Sequence, residues 1–539
     1  MTKRAFLKKI KIFSLSLILF ANMVSAAGCS KEEDDGSGYT FTYTLHGNPQ
    51  NLDPQLATDR SSLMVIKNMF LGLMTFDAEG ELTCGVAESF TVSEDGLRYS
   101  FTLRDDCYWY SADGTESVVT AHDFVYAFKR IFDPQTRSPY REKFSFIHNA
   151  RTIIDGNMDY SELGVYAVNN TELVFHLDRS NSEFLYLLTT PPAMPCNKQF
   201  FEGTKARYGL DEESVISNGA FYMTQWSYDD YGTDNLIYMK RNYDNSQYDR
   251  VFPYMLTFII DRDKDAPADN FNSSLTDCYI SETEQKKTFM GTSSTRGYEV
   301  ASVGITFNRE LDIDKDIKKA LLLAIDRESL DNMDTDGFRS AYGIVPGGLK
   351  LGGKSFRNSV PDSENELYQS EMPTITEKEA EELYSCTDDA KVLVRNTADA
   401  GLMSKIIADW QDELGIYIGI DYVSDSEYYS RLSRGEYFMA FREITCEDNS
   451  VYYYLLNFAD TVFGDDASSF TGELDSAVML SEAEALDIFS RVEGDIIDSG
   501  DYIPLFYKKS FLVSNKKTDD LYFDPFSGQI DFRYAKFFE

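Results

Sequence analysis

Four histidines, His46, His122, His148 and His176, are the only side chains here whose ordinary pKa lies near neutrality. None is spaced for a metal site, and no HExxH occurs. No GxSxG elbow and no P-loop is present. Asp312, Asp314 and Asp316 imitate the start of a calcium loop. The sixth place, which requires glycine, holds Ile317, and the twelfth holds Leu323. With 89 Asp and Glu in the chain, some carboxylate pair always resembles a glycosidase, so such a pair carries no weight. Cys84, Cys107, Cys196, Cys278, Cys386 and Cys446 are scattered with no CxxC, which supports neither zinc nor a redox motif. Cys84 and Cys107 are the closest couple, but spacing alone fixes no pairing. The expectation is no metal, no cofactor and no catalytic centre. The chemistry left is recognition. Tyr, Phe and Trp reach 14%, and rings with an apolar body and a polar edge suit both a core and a cleft that grips varied ligands. Tyr452 to Tyr454 suit a pocket wall, or equally an element with exposed rings.

The start of the chain reads as an address. Lys3, Arg4, Lys8, Lys9 and Lys11 precede an apolar run, Ile12 to Ala21, and the small residues Ser25-Ala26-Ala27-Gly28 precede Cys29. A charged beginning, a short apolar stretch and a small-residue cleavage site describe a secretory signal. The run is about half the roughly 20 residues of a spanning helix. Small residues directly before Cys29 resemble the bacterial lipoprotein signal, which implies removal of residues 1–28 and lipidation of Cys29. The charged, Gly- and Ser-containing stretch Lys31 to Gly38 has no apolar residue to bury, so residues 29–38 are expected to form a flexible tether. The expected location is the outer face of a cell membrane.

Losing residues 1–28 leaves 46 Lys and Arg against 89 Asp and Glu, a net charge of −43. Repulsion from phosphate excludes nucleic acid and any basic-patch attachment to anionic lipid. About 500 residues exceed one ordinary core, so two or three lobes are expected.

The elements that must position a binding surface are legible locally. Leu97 to Arg104 alternates as a half-buried strand, after the hairpin signal Asp95-Gly96. Thr120 with Asp123 forms a capping box that opens a helix whose Phe124, Phe128, Ile131 and Phe132 share one face, and Asp133-Pro134 stops it. A long loop through Trp109 and Gly114 joins the two. Ile317, Ala320, Leu321 and Ala324 lie at helical spacing, and Asp326 caps the next helix. Gly415 ends a helix before Ile416, Ile418, Ile420 and Tyr422 alternate as a strand. Thr376 with Glu379 opens a short helix. Helices alternating with strands give an α/β fold.

Asn48 to Pro54 (NPQNLDP), Gly85 to Phe90 (GVAESF), Ser93 to Gly96 (SEDG), Tyr99 to Arg104 (YSFTLR), Trp109 and Thr120 to Pro134 (TAHDFVYAFKRIFDP) together resemble the signature of the extracellular solute-binding proteins of peptide ABC importers. Ser217 to Trp226 (SNGAFYMTQW), Asp316 to Arg327 (DIKKALLLAIDR) and Ile407 to Val423 continue the resemblance in family order. Within that family the oligopeptide-binding type is the nearest. The resemblance implies a periplasmic-binding-protein-like clamshell of two lobes with an additional third domain. The first lobe is then discontinuous, built from residues 39–75, 187–300 and 502–539. Residues 76–186 form the added domain and 301–501 the opposing lobe.

The resemblance also implies ligand contacts. In oligopeptide binders an acid, shortly after a glycine-containing stretch in the opposing lobe, pairs with the peptide α-amino group. Counting from Arg434-Gly435 places Glu447 there, and a one-residue gap would put Cys446 in its place. Thr58, Asp59 and Arg60 resemble the segment whose backbone pairs with the peptide. Tyr428 and Tyr507 stand where the family has cleft aromatics. The implied protein is a monomeric, lipid-anchored receptor that hands peptides to ABC permease subunits. The alternatives are a same-family receptor for a dipeptide, metal chelate or oligosaccharide and, outside the class, a membrane-anchored hydrolase.

Overall fold

The computed structural model describes residues 39–538, apart from 112–113, 115, 244–250, 283–292, 333–336, 361–367, 369, 377, 380–382, 384–389 and 397–399. Cys29, the signal-like segment and the tether lie outside the described residues. Among the described residues no helix is long and apolar enough to cross a membrane.

An 11-stranded mixed sheet organises the chain. One end runs Phe221–Ser227, Leu236–Arg241, Met255–Ile260, Thr40–Leu45 and Cys278–Ser281. The other runs Met439–Thr445, Lys391–Arg395 and Gly419–Val423. Between them lie Tyr502–Asn515 and Ser293–Phe307, long antiparallel strands paired from Ser293 with Asn515 to Thr306 with Tyr502. Thr40–Leu45 is parallel to Met255–Ile260, and Lys391–Arg395 is parallel to Gly419–Val423. Parallel neighbours need a crossover. The helix Ala400–Leu414 supplies the second one, and its fully buried Trp410 donates from Nε1 to the Leu321 carbonyl, 2.8 Å.

A separate antiparallel sheet orders Ala87–Val92, Arg98–Leu103, Glu172–His176 and Val165–Ala167. The helix Ala121–Phe132 packs on it as its spacing requires: Phe124, Phe128, Ile131 and Phe132 are all at most 1% exposed. Burying each stabilises the fold by about 1.5–3 kcal/mol. Its capping box is formed, with the Thr120 amide donating to Asp123 Oδ2, 2.8 Å. The same carboxylate accepts from Trp109 Nε1, 3.2 Å. The expected loop around Trp109 in fact holds a small hairpin, Tyr108–Tyr110 with Glu116–Val118.

Most local expectations hold. Asp326 accepts from the Ser329 amide at 3.0 Å and caps Arg327–Asp331. Lys315–Leu323 is helical with Ile317, Ala320 and Leu321 buried. Gly415, at φ +68°, ends the helix Ala400–Leu414 in the left-handed region that favours glycine. The strand expected from Ile416 begins only at Gly419, where the amide first reaches the Ala390 carbonyl. Ile416 and Ile418 are buried on the approach, whereas Tyr422 is 41% exposed because this is an edge strand. The Thr376–Glu379 box is formed, but the helix it would open falls largely outside the described residues. Among the described residues Cys84, Cys107, Cys196, Cys278 and Cys446 form no disulfide with one another, and Cys386 lies outside the described residues.

Candidate functional site

The helix Arg60–Met69 is the first element of the site. Asp59 caps it by accepting from the Ser62 amide, 2.9 Å. At its other end the Asn218 side chain both accepts from the Leu71 amide, 3.1 Å, and donates to its carbonyl, 2.8 Å. Gly219 lies so close that a Cβ there would stand 2.6 Å from the Met69 carbonyl oxygen. The sequence SNGAF is thus a clamp that fixes the helix against the strand Phe221–Ser227.

A cavity of about 330 Å³ opens at the start of that helix. Thr58, Arg60 and Lys67 supply one wall, with the turn at Gly80, the stretch Pro139–Lys143 and the stretch around Glu183–Pro192. The facing wall is Glu447–Ser450 with Tyr453 and the hairpin at Lys350–Gly353, while the stretch Tyr522–Gln529 lines the cavity from beside the helix, where the Tyr522 ring stacks on Phe76, 5.3 Å between centres. Glu447–Ser450 follows the strand Met439–Thr445, and Ser450 caps the helix Val451–Phe463 by accepting from the Tyr453 amide, 3.4 Å. The two walls touch. Asp448 pairs with Lys143, whose ammonium also lies 6.0 Å from the centre of the Tyr453 ring. The Ser182 amide donates to the Val478 carbonyl, 2.8 Å, and Arg179 stands 3.5 Å from Asp475.

Charge in this cavity is mixed and strongly felt. The Tyr140 hydroxyl donates to the Ala57 carbonyl. Burial pushes that phenol up to about 12, with the negative charges of Glu447, Asp448 and Asp59 adding to the shift. Burial pulls Lys67 down, opposed by Asp531. Glu183 is pushed up to about 7, first by burial and then by Asp448 and Glu482, against a hydrogen bond from Ser450.

Thr58, Arg60 and Glu447, singled out from the sequence, therefore line one cavity. Asp59 sits between them in the chain, its carboxylate engaged in the helix cap. Cys446 packs against the apolar core behind the cavity; the Asp448 amide donates to its Sγ, 3.4 Å, and burial pushes the thiol up to about 12. Tyr428 borders a second, larger concavity of about 1220 Å³. Its hydroxyl donates to the Phe441 carbonyl, 2.6 Å, and burial pushes the phenol up to about 12. Arg395, Arg442 and Lys508 line the same concavity. Lys508 bridges Glu282 and Glu443, 3.0 Å from each. Burial works against its charge, but the two carboxylates outweigh it and the ammonium pKa is raised. Tyr507 is fully buried in the strand Tyr502–Asn515, with the Arg339 guanidinium 4.8 Å from its ring centre.

Asp448, Lys143 and Glu183 were not singled out from the sequence. Asp448 adjoins Glu447, and Glu183 is an acid directly before the apolar run Phe184–Leu188, which is the one local hint it gives.

Two α/β halves sharing one mixed sheet, with a ligand-sized cavity whose walls come from distant stretches of chain, define a two-lobed fold of the periplasmic-binding-protein type. The family model described as bacterial extracellular solute-binding proteins, family 5 (middle), matches residues 81–465, and the chain belongs to this family. The oligopeptide-binding protein OppA of Bacillus subtilis is 26% identical over 98% of this chain and 99% of its own length. Among solved structures, MppA, a periplasmic murein tripeptide-binding protein, in its unliganded open form matches with a TM-score of 0.71 at 20% identity, covering 93% of this chain and 98% of that one. Listeria monocytogenes OppA bound to peptide matches with a TM-score of 0.64 at 19% identity, covering 93% and 100%. The family and these neighbours are solute-binding proteins rather than enzymes.

Proposed function

We propose that this chain is an extracytoplasmic receptor that binds oligopeptides between two lobes and delivers them to an ABC importer. The observation that carries the reading is the cavity itself. It sets the capped helix start with Thr58 and Arg60 against the acidic segment Glu447–Asp448, so a backbone-binding edge faces a carboxylate suited to an ammonium. The full-length likeness to a protein named as oligopeptide-binding supports it. A peptide laid along such a cleft is held by main-chain hydrogen bonds, which tolerate many sequences. In this reading Glu447 takes the α-amino group and Thr58, Asp59 and Arg60 offer backbone partners, while Tyr428, on the second concavity, and Tyr507, buried in its strand, support the cleft from outside the cavity lining. Cys446 supports the acidic segment from behind. Tighter binding to the closed arrangement is what drives the lobes together.

The reading includes the division into residues 39–75, 187–300 and 502–539, residues 76–186, and residues 301–501. It is supported by the way the two ends of the large sheet draw on the first and last of these, while the four-stranded sheet falls in the second. It includes lipid attachment at Cys29 after removal of residues 1–28, a monomeric state and no catalytic step. The three acyl chains that the lipoprotein resemblance implies exceed the two signals that stable anchoring needs. A tethered receptor stays near its permease, which raises effective concentration without a new contact.

Mass spectrometry of the ligand released from the purified protein tests the reading. A ladder of short peptides is the expected result. A sugar or a metal complex would overturn it.

A further inference from the structure

Glu183 is a carboxyl group in the cavity wall that peptide backbone recognition leaves without a task. It is only 8% exposed, and among the described residues no Lys, Arg or His forms an ion pair with it. The one side chain that favours its charged form is the Ser450 hydroxyl, whose oxygen also accepts from the Tyr453 amide. Lys143, the ammonium that lines the same cavity, is held by Asp448. The remaining neighbours make matters worse for a negative charge. Asp448 and Glu482 both oppose its ionisation, and Arg179 is engaged with Asp475. A buried carboxylate with one hydroxyl and no cation is an incomplete arrangement. Beside it, Tyr186, Leu187 and Tyr453 line the cavity with apolar surface.

We propose that Glu183 is a specificity-determining residue of the cavity, which receives the ammonium or guanidinium of a basic peptide side chain while Tyr186, Leu187 and Tyr453 cover its methylene stem. The stem of a lysine or arginine buries along apolar and aromatic surface and its charge sits at the far end, which matches this order of groups. The cation completes the partnership that Ser450 begins. The inference rests on the peptide reading and adds a side-chain preference to it.

Binding has a proton signature. Near pH 7 the group is about half protonated in the unliganded protein, because burial, Asp448 and Glu482 push it up to about 7. An arriving cation pulls the carboxyl towards its charged form, so a basic ligand expels about half a proton at that pH. An uncharged side chain of the same shape expels none through this group.

The test is calorimetry at pH 7 with a positional set of tetrapeptides, each carrying lysine or norleucine at one position, in two buffers of different ionisation enthalpy. At one position lysine is expected to bind at least about tenfold more tightly than norleucine, the worth of a charge-assisted bond in a closed site, and only the lysine peptide shows buffer-dependent heat. Glu183→Gln brings that ratio within about threefold and removes the buffer dependence; Glu183→Asp keeps part of both. The buffer comparison on the unaltered protein needs no variant, so a poorly folding variant does not blunt it. A lysine-to-norleucine ratio near one at every position overturns the proposal, as does equal proton release by both peptide series. Failure of the unaltered protein to bind any peptide in the set overturns the peptide reading itself.

Discussion

Lys143 meets Asp448 across the cavity, and the two are 305 residues apart in the chain. Their side chains are 18% and 28% exposed, so the pair is neither a surface contact nor a sealed one. The protein's own ammonium thus occupies the cation position on the acidic segment that a ligand's amino terminus would seek.

Lys143→Met removes that internal competitor. Free-amine peptides are expected to gain about two- to fivefold in affinity, the range for a partly exposed pair, while N-acetylated peptides do not gain. Calorimetry on matched peptides checks this. Equal gains for both forms would show that Lys143 acts on the cavity in some other way than by holding Asp448.

Glu447 is to be tested in the same assay. If it holds the α-amino group, acetylating the peptide costs more than about threefold in affinity, since truncating a desolvated charge pair is worth a few kcal/mol. Glu447→Gln then abolishes the difference between the two forms. A difference smaller than threefold in the unaltered protein removes Glu447 from the role.

Glu183 also predicts a pH dependence of stability in the ligand-free protein. Its carboxyl pKa is raised on folding, from 4.5 to about 7, chiefly by burial. The folded state therefore binds the extra proton, and the penalty for charging it is absent below about pH 4.5, grows between 4.5 and 7 and is constant above. Glu183→Gln is expected to stabilise the protein by about 2 kcal/mol at pH 8 and to leave it nearly unchanged at pH 4. Denaturant midpoints at the two pH values measure it, and a variant less stable at pH 8 would contradict the expectation.

Arg130 and Asp53 make a different kind of pair, 6% and 2% exposed. Arg130 also donates to Gln55 Oε1, 2.7 Å, and lies 4.0 Å from the Phe201 ring centre. Asp53→Ala leaves a buried guanidinium without its anion, so a loss of about 3–5 kcal/mol is expected. Thermal unfolding with and without peptide checks it: the melting temperature falls, while the ligand-induced rise persists.

Cys446 is expected to be inert. Its thiol is pushed up to about 12 by burial and by Asp448, so at pH 8 the thiolate fraction is about a thousandfold below that of an ordinary thiol. Peptide mapping after brief alkylation of the native protein should find Cys446 unmodified, and modification within minutes would contradict its placement.

What the sequence reveals follows from how far each signal reaches along the chain. The Thr120–Asp123 box, the Asp326 cap and the aromatic face of Ala121–Phe132 depend on neighbours within one or two turns, and all three form. The strand expected at Ile416 came late because its hydrogen-bond partner at Ala390 lies on another element. Thr58, Arg60 and Glu447 were legible through ordered motifs, and they line one cavity. Lys143 and Glu183 were not, because a charge acquires its meaning from burial and from partners hundreds of residues away. Tyr507 shows the same limit: its position after Ile503-Pro504 is plain, but which face of the strand it takes is set by Arg339 and the packed sheet.

The long strands Ser293–Phe307 and Tyr502–Asn515 run through the middle of a sheet whose ends belong to different halves of the molecule. Their ladder is interrupted by register shifts between Glu299 and Ala301 and between Val303 and Gly304. Such irregularities loosen pairing locally and increase twist. In the opening and closing that the proposed function requires, the ribbon would act as a torsion spring with two soft coils, the relative movement of the halves being absorbed as a change of twist at those points. The amide protons on either side should stay protected against exchange while the protein opens and shuts many times.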